Sequence, residues 1–288
     1  MFESITAHIQ DNNQDNNIDI SALDFIKQLQ HPAEKYCLFL DIDGTISEFH
    51  PDPTLSFIPK HTLEQLNTIQ QYKIPVIAVT GRTVKDALRL FHPLELPIAG
   101  THGLEIRFSD KHLLPSPLNS LNFQNIYTDI QASCASYPKL RIERKTYAIA
   151  IHFREHPELE PIARHISDRI LQQYPELKLN TGKCVYELIL AQADKGKAIE
   201  HIYSQNKLNH FTPMFIGDDR TDESGFQTIK QIGGISIKVS EGETCAQYRF
   251  KNVSVTCEFI DHFSNLIQKN AERLSQVSKK KGEKACLN

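Results

Sequence analysis

The sequence of 288 residues lacks three features, each of which would place it in a particular class of protein. It contains no apolar run near the roughly 20 residues that a membrane-spanning helix needs. Its six cysteines include no CxxC pair and no spacing with histidine that is typical of a zinc site. Its formal net charge of −3 gives no electrostatic reason to expect binding to nucleic acid or to an anionic membrane. We therefore expect neither a nucleic-acid partner nor a membrane partner.

The first residues also lack the basic and apolar regions of a secretory signal peptide. Together with scattered cysteines in a chain of this length, this favours a reducing compartment, and we expect a cytoplasmic protein. Hydrophobic residues make up 40% of the sequence and charged residues 23%, as in an ordinary globular protein. We expect a monomer or a weak oligomer.

Apolar strand-like runs alternate with helical stretches over most of the chain. This alternation predicts βαβ units and an α/β fold with a doubly wound, mostly parallel, Rossmann-like core. Strands are predicted at Tyr36–Leu40, Ile74–Val79, Pro97–Ala99, Met214–Ile216 and Ile235–Val239, and helices at Lys60–Tyr72, Val84–Phe91, Lys195–Tyr203 and Asp222–Ile232.

Residues 111–191 have a different pattern. Arg141–Arg154 and Leu177–Leu190 alternate apolar and polar residues, as in a sheet with one buried face. The turn chemistry of Asn180-Thr181-Gly182 predicts that Leu177–Leu190 is a β-hairpin. Helical stretches at Leu121–Ser136 and Glu158–Tyr174 complete the pattern. We therefore expect a smaller α+β cap domain at 111–191, inserted into a core formed by 36–110 and 192–270.

Both ends of the chain are polar. Gln10–Asp19 is rich in Asn, Asp and Gln and predicts a loose linker, followed by a short helix within Ile20–Gln30. Residues 1–35 are thus predicted to be an N-terminal extension with a helix. Residues 271–288, which include Lys279–Lys281, predict a basic and frayed C-terminal tail.

The most informative motif is Asp41-Ile42-Asp43-Gly44-Thr45, directly after the apolar run at Tyr36–Leu40. Open α/β sheets form their sites at the carboxyl ends of parallel strands, where unpaired carboxylates would not be placed for stability. One carboxylate can attack a phosphoryl group, and a second can transfer protons. Mg²⁺ needs only one or two carboxylates besides phosphate and water oxygens. The motif therefore predicts Mg²⁺-dependent phosphoryl transfer, with Asp41 as nucleophile and Asp43 as acid/base.

Two further motifs supply groups that bind phosphate. Thr80 and Gly81 follow the second predicted strand and can hold a phosphate oxygen through a hydroxyl and a backbone N–H. Lys195 opens a predicted helix and can pair with both the phosphate and the Asp41 carboxylate.

A fourth motif, Gly217–Glu223, follows the predicted strand at Met214–Ile216 and is rich in carboxylates. Asp218 can complete the carboxylate ligands of the metal. Asp219 and Asp222 are then expected to act through water or through contacts to the ligands.

The four motifs together resemble the haloacid dehalogenase-like phosphatases, and more narrowly the trehalose-6-phosphate phosphatase family. The narrower resemblance rests on GTHGLE at Gly100–Glu105, on Ala193–Gly196 and on GDDRTDE at Gly217–Glu223, and it runs from about Tyr36 to Phe226. The sequence departs from the family in its polar N-terminal extension and at Leu104, where a smaller residue is expected.

The resemblance implies hydrolysis of trehalose 6-phosphate, in trehalose biosynthesis, through an aspartyl-phosphate. It implies that Mg²⁺ is held by Asp41, the backbone carbonyl of Asp43 and Asp218, under a mobile cap. The residues that it places beside the substrate are Arg82, His102 and Glu105 from the core and Arg154 and Glu187 from the cap.

The polarity pattern places Glu187 on the polar face of the cap sheet, and we interpret this face as the substrate cleft. Arg144 and Lys145 are interpreted as solvated charges at a strand end. For His152 the pattern does not decide between cleft and solvent.

Other functions stay open at this point. The substrate could instead be sucrose phosphate, mannosyl-phosphoglycerate or a hexose phosphate, or the protein could be a phosphosugar mutase. From a different class, it could be a sugar-phosphate sensor without catalysis. The Asp41 and Asp43 pair argues against a sensor, because binding alone needs neither a nucleophile nor an acid/base.

Overall fold

The computed structural model describes residues 18–30, 32–50, 52–108, 113–114, 122–145, 147–205 and 208–285. These residues form two β-sheets and the helices that pack on them. The strands are β1 (Ile18–Asp19), β2 (Tyr36–Leu40), β3 (Val76–Val79), β4 (Ile98–Gly100), β5 (Glu105–Arg107), β6 (Leu113–Leu114), β7 (Arg141–Arg144), β8 (Ala148–His152), β9 (Leu177–Gly182), β10 (Val185–Leu190), β11 (Thr212–Gly217), β12 (Ile235–Val239) and β13 (Tyr248–Phe250). The helices are α1 (Ala22–Gln28), α2 (Lys60–Gln71), α3 (Val84–Phe91), α4 (Phe123–Cys134), α5 (Glu160–Gln173), α6 (Lys195–Gln205), α7 (Glu223–Gln231) and α8 (Val253–Ala285).

The larger sheet has nine strands in the order β1-β13-β12-β11-β2-β3-β4-β5-β6. In this spatial order, every pair of neighbouring strands from β1 across to β4 is parallel. The strands β5 and β6 are added at one edge in antiparallel pairing. The connections from β2 to β3, from β3 to β4 and from β11 to β12 each contain a helix, as in a doubly wound sheet, while residues 240–247 join β12 to β13 without one.

Helices cover both faces of this sheet because its strands are apolar on both sides. In β2, Leu38 and Leu40 pack with residues of α1, α2, α3 and α8, whereas Cys37 and Phe39 pack with α6 and α7 on the other face. All four side chains are fully buried. Burial of each Leu or Phe side chain contributes roughly 1.5–3 kcal/mol, so the central strands are rigid supports for whatever follows them.

The smaller sheet is antiparallel, in the order β7-β8-β10-β9. One face packs on α4 and α5, with Ile149 and Leu188 among the buried residues. The opposite face carries Glu143, Ala150 and Glu187 in register across three strands. Residues 123–190 contain all of these elements and are called the cap below; the nine-stranded sheet and its helices are called the core.

The predicted fold class is confirmed, and most predicted elements lie within two residues of their observed bounds. The turn of the predicted hairpin lies at residues 183–184, because Asn180, Thr181 and Gly182 are part of β9. The strand β6, which we assigned to the cap, pairs with β5 in the core sheet. Two residues are too few to give a readable pattern in the sequence.

The ends also differ from expectation. Ile18 and Asp19, predicted to be linker, form β1 and pair with Tyr248 and Arg249. The last helix continues to Ala285 through most of the segment predicted to fray. The remainder of the N-terminal extension, residues 1–17, lies outside the described residues. Within the part of the chain that the structure describes, every helix is too short or too polar to span a membrane.

Candidate active site

The sequence motifs meet at the carboxyl edge of the core sheet. The strands β11, β2 and β3 are neighbours, so Asp218, Asp41 and Thr80 follow adjacent strand ends. Lys195 is the first residue of α6, which packs behind them. The fold therefore brings together residues that lie up to 177 positions apart in the printed sequence.

Lys195 lies at the centre of this group. Its Nζ is 2.6 Å from Asp222 Oδ1 and 3.1 Å from Asp41 Oδ2. The side chain of Lys195 is 2% exposed, and those of Asp41 and Asp222 are 7% and 0% exposed. Burial alone would lower the pKa of Lys195, but the Asp222 and Asp41 carboxylates raise it, so the ammonium stays charged.

Asp222 holds the Gly217–Glu223 loop in shape. Its Oδ2 accepts hydrogen bonds from the backbone N–H of Asp218 (3.0 Å) and of Asp219 (2.9 Å). The Asp219 side chain is exposed and caps the next turn by accepting from the N–H of Arg220. Lys238, from β12, is buried and donates to the backbone carbonyl of Asp218. Both oxygens of Asp222 are thus used by protein groups.

The ionised forms of the other two carboxylates, Asp41 and Asp218, are disfavoured by their surroundings. Burial, and after it the Asp222 carboxylate, raises the pKa of Asp218 to about 7. Burial also raises the pKa of Asp41 well above its usual range, against the lowering effect of Lys195. A bound cation would lower both pKa values, because it favours the ionised form of both groups.

The residues present fit a divalent metal ion. One ligand atom from each of Asp41, Asp218 and Asp222 lies within 4.8 Å of the others. Three carboxylates outnumber the ammonium groups of Lys195 and Lys238, and a divalent cation would offset the remaining negative charge. Gly44 makes room for this arrangement: it has a φ of +74°, and a Cβ there would lie 2.0 Å from Asp218 Oδ2.

Asp43 and Arg82 form a two-point ion pair. Arg82 Nε is 2.6 Å from Asp43 Oδ2, and Nη2 is 2.7 Å from Oδ1. Arg82 Nη1 also donates to the carbonyl of Pro53 at 2.9 Å. Arg82, which the resemblance placed beside the substrate, is therefore held against the predicted acid/base residue. Thr80 is buried, and its hydroxyl accepts from the Arg82 N–H at 3.1 Å.

The segment after β4 is backbone-strained. Thr101 and His102 have φ values of 47° and 54°, in the left-handed region that non-glycine residues seldom adopt. This conformation lays the His102 ring over Gly81, where a Cβ would lie 2.8 Å from the ring. The predicted phosphate-binding glycine is thus covered directly by the predicted substrate residue.

Glu105 is used differently from His102. Its Oε2 accepts from the backbone N–H of Val84 at 2.8 Å, at the first turn of α3. A carboxylate there satisfies a free N–H and interacts favourably with the helix dipole. This contact gives Glu105 a structural role in addition to any contact with substrate.

The cap reaches the core site through Glu187. Glu187 Oε2 is 3.3 Å from His102 Nε2, and Oε1 is 2.5 Å from Lys145 Nζ. Burial would raise the pKa of Glu187, but Lys145 and His102 lower it, so the carboxylate is ionised. Glu187 therefore lies where the polar face of the cap sheet meets the core. The other ring nitrogen of His102 is buried and has no partner among the described residues.

The interpretation of Lys145 as a solvated charge is wrong, because its side chain pairs with Glu187 and is 30% exposed. Arg144 is exposed and donates to Gln124. His152 lies 2.8 Å from Glu143 Oε2, on the same face as Glu187. This face is more highly charged than the sequence pattern indicated.

Arg154 lies apart from the Glu187 contacts. Its guanidinium is 4.7 Å from the centre of the Phe49 ring, and Nη2 is 3.3 Å from the carbonyl of Lys183. The structure thus brings His102 and Glu187 together and places Arg154 at a separate contact between cap and core.

A cavity of about 420 Å³ opens between the edge strand β9 of the cap and the core helices α6 and α7. His102 and Lys195 line one side of it, and Lys178 and Asn180 line the other. Its walls are mostly polar and carry more basic than acidic groups, which suits an anionic ligand with many hydroxyl groups.

Sequence reasoning missed several residues of this site: Lys145, Asn180 and Lys238. Lys145 shares the period-two face of Glu143, and the argument applied to Glu187 would have found it. Lys238 is a charge inside the apolar run Ile235–Val239, and a buried cation needs a partner. Asn180 was assigned to a turn, which hid its position opposite Glu187.

The fold and the site define a class of protein. A solved haloacid dehalogenase-like hydrolase from Bacteroides thetaiotaomicron superposes with a TM-score of 0.59 over 79% of this chain and 99% of its own, at 15% sequence identity. An identity this low shows the fold alone, and the fold is haloacid dehalogenase-like, as the resemblance implied.

The sequence places the chain within this class. The family model for trehalose-phosphatase matches residues 39–254. Trehalose-6-phosphate phosphatase from Escherichia coli (strain K12) is 31% identical over 241 residues, which are 83% of this chain and 91% of the relative. A solved trehalose-6-phosphate phosphatase related protein is 25% identical, with a TM-score of 0.67 over 81% of this chain and 99% of its own. The chain belongs to the trehalose-phosphatase family.

Proposed function

We propose that the protein hydrolyses trehalose 6-phosphate to trehalose and phosphate with Mg²⁺, as a step of trehalose biosynthesis. The observation that carries the proposal is the group of buried Asp41 and Lys195 with Asp218 at one sheet edge, beneath a cap whose Glu187 reaches His102. The relative named trehalose-6-phosphate phosphatase, which aligns over most of both chains, supports the choice of substrate.

In the proposed first step, a carboxylate oxygen of Asp41 attacks phosphorus, forms an aspartyl-phosphate and displaces the sugar oxygen. Lys195, already 3.1 Å from Asp41, offsets the negative charge of the phosphate. The Thr80 hydroxyl and the Gly81 N–H hold a phosphate oxygen. Because Lys195 is buried between two carboxylates, it needs no reorganisation when the substrate enters.

Asp43 is proposed to protonate the departing sugar oxygen and then to take a proton from the water that hydrolyses the intermediate. Arg82 holds both oxygens of Asp43 in the structure. Proton transfer therefore requires one Asp43 oxygen to leave Arg82 and turn toward the sugar oxygen.

The proposed ligands of Mg²⁺ are the carboxylates of Asp41 and Asp218 and the backbone carbonyl of Asp43. Asp219 and Asp222 are proposed to contact the ligands or their water, and the hydrogen bonds of Asp222 to the 218–219 backbone support this. When bound, the ion supplies positive charge next to the phosphate oxygens.

Residues 111–191, apart from the β6 strand of the core sheet, are proposed to form the cap domain that selects the sugar. The core is proposed to comprise 36–110 and 192–270, with 1–35 and 271–288 as the two end segments. His102 and Glu187 are proposed to bind sugar hydroxyls, and their contact in the structure supports this. Arg82, Glu105 and Arg154 remain proposed neighbours of the substrate. We further propose a cytoplasmic monomer or weak oligomer without a nucleic-acid or membrane partner.

Phosphate release in Mg²⁺ across a panel of sugar phosphates tests the proposal. We expect the highest kcat/KM for trehalose 6-phosphate, compared with sucrose 6-phosphate, mannosyl-phosphoglycerate and glucose 6-phosphate. A preference for a monosaccharide phosphate would refute the substrate and leave the reaction in place. Transfer of the phosphoryl group to a second sugar hydroxyl would indicate a mutase, and binding without turnover would indicate a sensor.

A further inference from the structure

Besides the His102–Glu187 contact, the core meets the cap at the loop after the Asp41 motif. This loop, residues 48–50 and 52–58, is called the core loop. It presents three largely exposed apolar side chains: Phe49 at 55%, Leu55 at 60% and Phe57 at 69% exposure. Exposed aromatic side chains on a loop beside a catalytic site are a feature that the proposed chemistry does not use.

Phe49 is distinguished from its neighbours by a partner in the cap. The Arg154 guanidinium lies 4.7 Å from the centre of its ring, within the range of a cation–π interaction. Phe57, on the same loop, has no ring or cation contact among the described residues. The chain therefore offers two exposed phenylalanines on one loop, one engaged by the cap and one not.

The charge of a second cap arginine acts on the same loop. The hydrogen bonds from the side chain and backbone of Thr54 lower the pKa of Asp52 most, and Arg141 of β7 adds to this effect. Arg154 contacts the core loop directly, whereas Arg141 acts on Asp52 through its charge alone. The electron-rich ring face of Phe49 and the Asp52 carboxylate complement these positive charges.

The core loop is also tied to the acid/base pair. Arg82 donates from Nη1 to the carbonyl of Pro53 while its other nitrogens hold Asp43. The core loop is thus held by Arg154 of the cap on one side and by Arg82 on the other. A loop with these two contacts is suited to fix the distance between the cap and the Asp41 site.

We propose that Phe49 is a positioning residue of the core, whose ring receives Arg154 and fixes the closed position of the cap over the Asp41 site. It acts on catalysis through Arg154 and the cap and touches no reacting atom. The proposal rests on the proposed function only for the choice of substrate in the test.

Substitution at Phe49 tests the role of the aromatic face. We expect Phe49→Ala and Phe49→Leu to raise the KM for trehalose 6-phosphate by about two- to fivefold, the strength of an exposed cation–π contact, with kcat within about a factor of two. Phe49→Tyr and Phe49→Trp restore the wild-type KM, because they keep a ring for Arg154. Phe57→Ala, the matched control, leaves KM unchanged.

A purely apolar or structural role gives a different result. If Phe49→Leu matches the wild type, or if Phe49→Trp is as impaired as Phe49→Ala, the cation–π contact does not position the cap. A lowered melting temperature with unchanged KM would equally overturn the proposal.

A measurement without substrate separates this inference from the proposed function. Hydrogen exchange of peptides covering 152–156 and 183–187 should be faster in Phe49→Ala than in the wild type, and unchanged in Phe57→Ala. Unchanged exchange in Phe49→Ala would overturn the docking role. An inactive wild type with this exchange pattern would refute the substrate alone.

Discussion

Two lysine–carboxylate pairs, one in the core and one in the cap, differ in how firmly they are held. Lys195 of the core is 2% exposed and lies between Asp41 and Asp222 at the ends of buried strands. Lys145 of the cap is 30% exposed and reaches the single carboxylate of Glu187 from an antiparallel sheet. The core lysine is thus almost fully enclosed between two carboxylates, whereas the cap lysine keeps part of its surface exposed. Under the proposed function, chemistry belongs to the rigid core region and recognition to the more exposed, adaptable cap region.

The largest effect should follow from Asp41→Asn, which removes the nucleophile on the rigid side of the comparison. We expect kcat to fall by about a thousandfold or more. The fold should persist, and without metal the melting temperature should stay the same or rise, because a repelled carboxylate is lost. Phosphate release and circular dichroism measure both. Activity near that of the wild type would mean that another residue attacks phosphorus.

Lys195→Ala should damage stability as well as activity. It leaves Asp41 and Asp222 without the buried cation that they share, and loss of one partner of a buried pair costs about 3–5 kcal/mol. Denaturant unfolding should show this loss, while the exposed Lys197→Ala on the same helix should change little. A variant as stable as the wild type would show that the carboxylates do not depend on Lys195.

The pH dependence of the free energy of unfolding should report on the carboxylates of the core. Asp218, with a pKa raised to about 7, and Asp41, raised in the same direction, bind more protons in the folded than in the unfolded state. Without metal, the free energy of unfolding should therefore fall as pH rises from about 4 to about 7, on the order of 1 kcal/mol or more. Mg²⁺ binds the ionised form, so its stabilising effect should grow over that range.

Melting temperatures in chelator and in Mg²⁺, at about pH 5 and about pH 7.5, measure this dependence. Asp218→Asn should flatten it. A melting temperature in chelator that rises with pH would contradict the assignment of raised pKa values to the core site.

Glu187→Gln probes the adaptable side. It keeps the shape of the side chain but removes the charge shared by Lys145 and His102, and we expect KM for the sugar phosphate to rise about tenfold with a smaller change in kcat. Glu176→Gln, at an exposed position of the cap, is the control. If kcat fell as steeply as in Asp41→Asn, Glu187 would belong with the chemistry and not with recognition.

The smallest effect is expected for Glu105→Ala. Loss of its hydrogen bond from the Val84 N–H should lower the free energy of unfolding by about 1 kcal/mol or less, with KM within about twofold. Thermal unfolding and steady-state kinetics measure both. A tenfold rise in KM at unchanged stability would assign Glu105 to the substrate instead of the helix.

The sequence predicted the strands of the core better than the contacts between them. The strand β2 has the predicted bounds because five apolar residues buried on both faces leave a clear signal. Asp41, Lys195 and Asp218 could be brought together because strand ends of one sheet share an edge. The ion pair of Arg82 with Asp43 depends on side-chain directions across 39 positions, for which no local pattern exists.

The cap shows a second limit of sequence reasoning. Asn180, Thr181 and Gly182 favour a turn by composition, yet the cap sheet keeps them in β9 and turns at residues 183–184, where Cys184 adopts a φ of 59°. Pairing along six positions with β10 outweighs local turn preference. The polar face could be read correctly at Glu187 because one residue decides a face, whereas a turn depends on the whole register.

Among the residues that the structure describes, the two outermost strands of the large sheet, β1 and β6, have two residues each. An unpaired strand edge is a template on which another chain can add by hydrogen bonding, and short edges give such additions little to hold. An enzyme with a nine-stranded sheet could otherwise nucleate fibres when it is abundant. We expect this one to stay dispersed at high concentration, so that its expression level can rise without aggregation at the sheet edges.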